Sequence, residues 1–282
     1  TLRREVLPRL GPRARLCYNP FFIAMGTTIP DVLDPEFVLL GVESAAAAER
    51  ATALYRSLHA APIRRLSLEE AELTKVLYNT WISTKIAFAN VAGELAHRCG
   101  ADADRVMDTL LLGHRRVIAP SYMRPGMGDG GGCHPRDNIA LSHFARSHGV
   151  SYDWFESILL QRERHTEWIA RTAIERAAGR PVVVLGKGFR AESAIVTGSP
   201  ALLLLALLRE LGCDARAYDP LVDPPDAAPP DVPSCFVMAT RHEVLRTFPF
   251  AAGSVVVDPW RFVAARPGVE VVALGGGAPL PP

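Results

Sequence analysis

The sequence predicts an α/β protein: a partial α/β piece at the N-terminus, a long central helix, then a doubly wound parallel sheet. Three observations predict it. Residues 67–100 carry one unbroken helical pattern. Beyond Gly179-Arg180-Pro181, short apolar runs alternate with helical ones, which marks β–α–β units with helices on both faces of a sheet. Ahead of the long helix, short strands surround an alanine-rich helix. The expected division is 1–66, 67–178 and 179–282.

The opening TLRREVLPRLGPRARLCYNP reads as a helix and a strand from Ala14 to Tyr18, closed by Asn19-Pro20. It has no initiator Met, and nothing before it closes a sheet, so it reads as a beginning cut from a longer protein. A turn at Leu33-Asp34-Pro35 leads to a strand at Phe37–Gly41. Ser44–Leu58 is the helix, and Ile63–Leu66 is a strand.

The long helix has both end signals. Ser67 and Glu70 form a capping box, and Gly100 takes the place of a left-handed stop. Glu69, Glu70 and Glu72 crowd its start and His97 and Arg98 its end, matching the macrodipole. Its middle is apolar on nearly every face (Val76, Leu77, Trp81, Ile82, Ile86, Phe88, Val91), which predicts a spine covered on all sides by other elements or another subunit. Asn79, Thr80, Ser83, Thr84 and Asn90 argue against a membrane span. Lys75 and Asn79 are four apart and project from one face. They suit a polar site, or equally a snorkelling lysine and a satisfied buried amide.

After a helix from Asp102 or Ala103 to Leu112 comes RPGMGDGGGCHPRDN, residues 124–138. Glycine so dense, Gly130 and Gly131 included, is used where backbone approaches something closely or takes positive φ. Pro135 fits the first turn of a helix over 136–148, which would set Cys133 at a helix N-terminus, where the dipole favours a thiolate. Asp137 would fall in the same first turn. A small buried hydrophobe is the competing reading of Cys133, and the one adopted for Cys17, Cys99, Cys213 and Cys235.

Ser151–Ala178 is mostly helical. The strands that follow are PVVVL, Asp214–Tyr218, Ser234–Met238, Ser254–Asp258 and Val269–Leu274, with a helix at Ser199–Leu211 and another ending at Thr247. Gly186-Lys187-Gly188 matches a dinucleotide fingerprint only in part, because Ala191 stands where a third glycine belongs. Lys187 and Arg190 on that turn suit a cofactor diphosphate or, as readily, a solvated loop.

Composition narrows the class. Against 31 basic residues stand 30 acidic ones, so no bulk field recruits nucleic acid or an anionic membrane. Five cysteines without paired spacing suggest a reducing compartment, with the cytoplasm as the default, and no metal site is expected. ALLLLALL at 201–208 is too short to span a bilayer.

Four stretches carry a resemblance: YNPFFIAMGTTIPDVLDP, AELTKVLYNTWISTKIAFAN, PGMGDGGGCHPRD, and VVVLGKGFRAESAIVTGSP with ARAYDP. In this order the chain resembles the nucleotide-sugar 6-dehydrogenases, the UDP-glucose/GDP-mannose dehydrogenase family. The resemblance implies an N-terminal NAD-binding domain, most of which would lie upstream, a central helical dimerisation domain, and a C-terminal Rossmann-like domain for the sugar nucleotide. It implies oxidation of the primary alcohol of a UDP-, GDP- or TDP-hexose to the uronic acid, with NAD as cofactor and a homodimer formed through the central helix. By the same resemblance Cys133 is the nucleophile, Lys75 and Asn79 stabilise oxyanion character, and Asp137 handles a proton or orients water. Arg116, Gly130, Gly131, Arg190 and Arg261 are expected at the substrate, and Lys187 with Arg190 at the cofactor.

The chain departs from the family pattern at several positions. Phe21 and Met25 stand where the family has glutamates, the first of which is associated with hydrolysis. Arg190 replaces a lysine, Ile195 an aspartate and Thr197 an arginine. His134 follows the cysteine in place of an aromatic or aliphatic residue. A sugar-nucleotide-binding, dimerising module without full catalysis is therefore the alternative.

Overall fold

Strand β2 (Val38–Val42) is buried along its whole length and centres the N-terminal sheet. A computed structural model of the chain describes residues 5–11, 14–23, 28–119, 124–127 and 133–276. The chain divides into two compact units, one reaching Phe88 and one running Ala89–Gly276. They cut the chain differently from the three segments read in the sequence.

In the first unit, β1 (Cys17–Tyr18) pairs antiparallel with β2, and β3 (Ile63–Leu66) pairs with it in parallel. Short helices α1 (Leu7–Leu10) and α2 (Thr28–Leu33) precede β2. The sequence reading did not include α2. The expected helix at Ser44–Leu58 is a 3₁₀ turn, Ala45–Ala48, running into α3 (Glu49–Leu58). Tyr55 and Ala48 close the core over Val38, Leu40 and Val42.

Helix α4 (Leu68–Cys99) starts at the predicted capping box. The Ser67 amide donates to the Glu70 carboxylate at 2.9 Å, and the Glu70 amide donates to Ser67 Oγ at 3.2 Å. Its first turns rest on β2. Gly41 is what admits them, because a Cβ there would come within 2.6 Å of the Ala71 methyl. Gly100 has φ +72°, the expected stop. Among the described residues the expected covering of the helix middle is incomplete: Val76 is 59% exposed, Leu77 53% and Trp81 44%. Apolar periodicity records that a surface needs covering, not which chain covers it.

In the second unit, Glu94 near the end of α4 accepts hydrogen bonds from the Ser151 amide and hydroxyl. Helix α5 (Ala103–Leu111) is capped by Asp102. Helix α6 (Cys133–Ser147) lies against α7 (Trp154–Ala177), where Asp153, the N-cap of α7, accepts from Ser142 Oγ at 2.7 Å and from Arg146. Small residues along α7, Ala170, Ala173 and Ala177, let it pack directly under the sheet.

That sheet is wholly parallel, in the order β5-β4-β6-β7-β8: Ala215–Tyr218, Val182–Leu185, Cys235–Met238, Val255–Asp258 and Glu270–Ala273. Alternation divides its side chains. Val182, Val184 and Val237 face α7 and α8 (Pro200–Glu210). Val183, Leu185, Phe236 and Val256 face the other side. On that side the helix expected before Thr247 is a 3₁₀ turn, Glu243–Thr247, followed by Phe248 and Phe250 against the sheet. Pro249 explains the short turn, since the residue before a proline is driven out of the helical region, and Phe248 is extended at ψ 134°. Among the described residues no helix is long and apolar enough to cross a membrane.

Candidate active site

In the first unit the structure brings Lys75 and Asn79 together with the segment after Asn19. Asn19 is fixed from both ends: its amide donates to Leu39 O at 3.0 Å, and its carbonyl accepts from the Tyr55 hydroxyl. The chain then turns so that Lys75 Nζ donates to Phe21 O at 2.7 Å and lies 4.7 Å over the Phe22 ring. Phe22 packs between Phe37 and Tyr78, each at 4.7 Å. Here Lys75, Tyr78 and Asn79 line a cleft of about 320 Å³, opposite Asp31, Asp34 and Glu36. Lys75 is thus oriented by a carbonyl and an aromatic face, not free to snorkel. Tyr78 and the three carboxylates were not singled out in the sequence. Tyr78 lies three residues from Lys75, on the same helical face, and that spacing could have found it.

In the second unit Cys133 is the first described residue of α6 and is exposed. The helix already runs at Cys133, three residues before the expected start at 136. Asp137 is therefore not in the first turn; it lies one turn along the same face from Cys133. Asp137 pairs with Arg136 at 3.0 Å. The Asp137 carboxylate, and beyond it the Cys133 sulfur, hold the Arg136 guanidinium above its ordinary pKa. Arg136 is thus a cation beside the cysteine that sequence reading missed. Lys75 and Asn79 belong to one unit and Cys133 and Asp137 to the other.

Gly130, Gly131 and Met25 lie outside the described residues. Arg116 sits in an exposed turn after α5. Arg190 is exposed, 5.5 Å from the Phe189 ring.

The exit of β4 is the switch point of the parallel sheet, where such folds bind ligands. Gly186 has φ +88°, and a Cβ there would come within 2.5 Å of Thr240. At Gly188 a Cβ would overlap Ser193 O. The turn's backbone donors are already taken. Asp219 Oδ2 accepts from Lys187 N at 2.6 Å and Gly188 N at 2.9 Å, and Oδ1 accepts from Leu221 N at 2.9 Å. The Lys187 ammonium pairs with Asp223 at 2.6 Å. His242, fully buried, accepts from the Glu192 amide at Nδ1, so Nε2 carries the proton and donates to Asp219 at 3.1 Å. Burial would push the Asp219 carboxyl up, but the bonds from His242, Lys187, Leu221 and Gly188 outweigh it and hold it well below the usual carboxylate range. Among the described residues no group of three or more His, Cys, Asp or Glu side chains could hold a metal ion.

Residues 69–161 match the model of the central domain of the UDP-glucose/GDP-mannose dehydrogenase family. These residues belong to that family's central domain. The chain is 33% identical over 213 residues to UDP-glucose 6-dehydrogenase TuaD of Bacillus subtilis, covering 74% of this chain and 46% of that protein. It is 31% identical over 205 residues to GDP-mannose 6-dehydrogenase of Azotobacter vinelandii, covering 73% of this chain and 47% of that one. The crystal structure of a ternary complex of GDP-mannose dehydrogenase from Pseudomonas aeruginosa superposes with a TM-score of 0.78 at 26% identity, over 91% of this chain and 65% of the other. The chain thus spans about half the length of the curated relatives it matches.

Proposed function

We propose that the whole protein is a cytoplasmic, NAD-dependent nucleotide-sugar 6-dehydrogenase, oxidising the primary alcohol of a UDP-, GDP- or TDP-hexose to the uronic acid. The observation that carries this reading is the cleft that gathers Lys75, Asn79 and Tyr78 with Phe22 and Ile23, Lys75 being tied to Phe21 O. It adds geometry to the similarity with UDP-glucose and GDP-mannose 6-dehydrogenases.

NAD supplies the hydride acceptor in this reaction. The Gly186–Gly188 turn does not fit its diphosphate, because Asp219 occupies the amides and Asp223 the lysine. Lys187 is therefore not assigned to the cofactor. The chain's own groups work on the carbonyl. The Cys133 sulfur adds to the aldehyde carbon as a nucleophile that is also a good leaving group, so one sulfur serves both the thiohemiacetal and the thioester. Lys75 and Asn79 donate to the developing oxyanion. Asp137, one turn from Cys133, takes up or returns the proton. The exposed apolar middle of α4 supports a homodimer formed through that helix.

Phe21, 48% exposed and holding Lys75 only through its carbonyl, favours a second reading in which the chain binds sugar nucleotide but does not complete hydrolysis. The test is nicotinamide reduction by the whole protein with UDP-, GDP- and TDP-hexoses, alongside Cys133→Ser. Two NADH per sugar with free uronic acid, lost in Cys133→Ser, supports the dehydrogenase. Binding without reduction supports the second reading. Full activity in Cys133→Ser refutes the nucleophile.

A further inference from the structure

Arg261 spends its guanidinium on backbone carbonyls of three separate segments. Nη1 donates to Pro259 O and to Leu274 O, both at 2.7 Å. Nη2 donates to Pro125 O at 2.5 Å, across 136 residues of chain. Arg261 itself is held in the left-handed region at φ +54°, a conformation a non-glycine residue keeps only when its surroundings impose it. The imposing group is Asp258, fully buried at the end of β7. Its carboxylate accepts from the amides of Trp260 at 2.9 Å, Phe262 at 2.6 Å and Val263 at 2.8 Å, and so winds the turn that carries Arg261.

The segment that Arg261 grips is Arg124–Met127, which leads within six residues to Cys133. Other groups grip it too. His165 on α7 bonds Gly126 O through Nε2 at 2.9 Å. Gly126 lies flat on the Trp260 indole, where any Cβ would overlap the ring. The indole is itself fixed, donating from Nε1 to Ala239 O at the end of β6 and lying under the Arg241 guanidinium at 4.8 Å. Met127 is buried in the core between α7 and the sheet. The carboxyl ends of β6, β7 and β8 therefore meet the approach to the cysteine.

We propose that Arg261, seconded by His165, is a positioning residue that clamps the upstream end of the cysteine loop to the carboxyl edge of the parallel sheet. This rests on the dehydrogenase reading for its catalytic consequence, but not for the clamp itself. Three of the five guanidinium N–H groups go to carbonyls, and the side chain acts on substrate only through the loop it holds.

The test uses Arg261→Ala and Arg261→Lys. In this chain, amide exchange at Gly126 and Met127 is read by mass spectrometry, with the β4 amides as the internal standard. Exchange at 126–127 is expected to rise about tenfold in Arg261→Ala, as loss of a charge-assisted bond would give, and less in Arg261→Lys, which keeps the charge. In the whole protein the same variants should lose kcat while the KM for nucleotide sugar holds. Unchanged exchange at 126–127 overturns the clamp. Raised KM at constant kcat overturns the positioning role in catalysis and makes Arg261 a substrate contact. Should the wild-type protein oxidise no nucleotide sugar, the dehydrogenase reading fails while the exchange measurement still decides the clamp.

Discussion

Asp219→Asn removes one charge from a fully buried site and should be among the most damaging conservative substitutions in the chain. The carboxylate receives four donors: Lys187 N, Gly188 N and His242 Nε2 on Oδ2, and Leu221 N on Oδ1. An asparagine has one acceptor oxygen. Its best placement keeps that oxygen at Oδ2 and turns its NH₂ against the Leu221 amide, donor facing donor. The orphaned pair costs about 1–3 kcal/mol, and three surviving bonds lose their charge assistance, for a total of about 3 kcal/mol at pH 7. With a urea m-value of roughly 2 kcal/mol per M, the midpoint should fall by about 1.5 M. The pH dependence has a definite sign. The folded carboxyl is depressed, so its contribution is fully present above the unfolded value of about 3.9 and is lost as pH falls toward the folded one. The gap between wild type and Asp219→Asn should therefore be constant from pH 7 to about pH 5 and narrow below pH 4. Urea titrations followed by circular dichroism at pH 7, 5 and 3.5 measure it. Equal midpoints at pH 7, or a gap that widens in acid, would refute the reasoning.

Gly126→Ala places a methyl in the Trp260 ring; overpacking of about 2 kcal/mol should lower Tm by roughly 6 °C, readable by calorimetry. Ser67→Ala removes one half of the capping box and should cost about 1 kcal/mol, seen as faster amide exchange over residues 68–71 with little change in the parallel sheet. Trp81→Lys puts a charge on the exposed apolar face of α4; if the proposed homodimer forms through this helix, sedimentation should show a shift toward monomer, and an unchanged dimer, or a wild type that is already monomeric, would refute that interface. Cys133→Ser should abolish release of uronic acid, as measured by product chromatography.

What the sequence determined by itself is local. The capping box at Ser67, the stop at Gly100, and strands such as Ile63–Leu66 follow from residue types at fixed spacing, and the structure has them where spacing put them. The parallel sheet was legible too, because continuous runs such as Val182–Leu185 suit only a strand buried on both faces. So were Lys75 and Asn79 as neighbours, since a helix fixes which residues share a face. Tertiary structure decided what spacing does not encode. Arg261 reads as a cation for a ligand until its guanidinium is found on Pro125 O. Gly186-Lys187-Gly188 stays open as a partial dinucleotide fingerprint until Asp219, some thirty residues on, is found on its amides. The helix expected from Arg136 already includes Cys133, a boundary that glycine and proline signals leave open by a turn. In each case the deciding partner is remote in sequence, and a hydrogen-bond donor cannot be assigned to ligand or to backbone until the folded chain shows which carbonyl lies within reach.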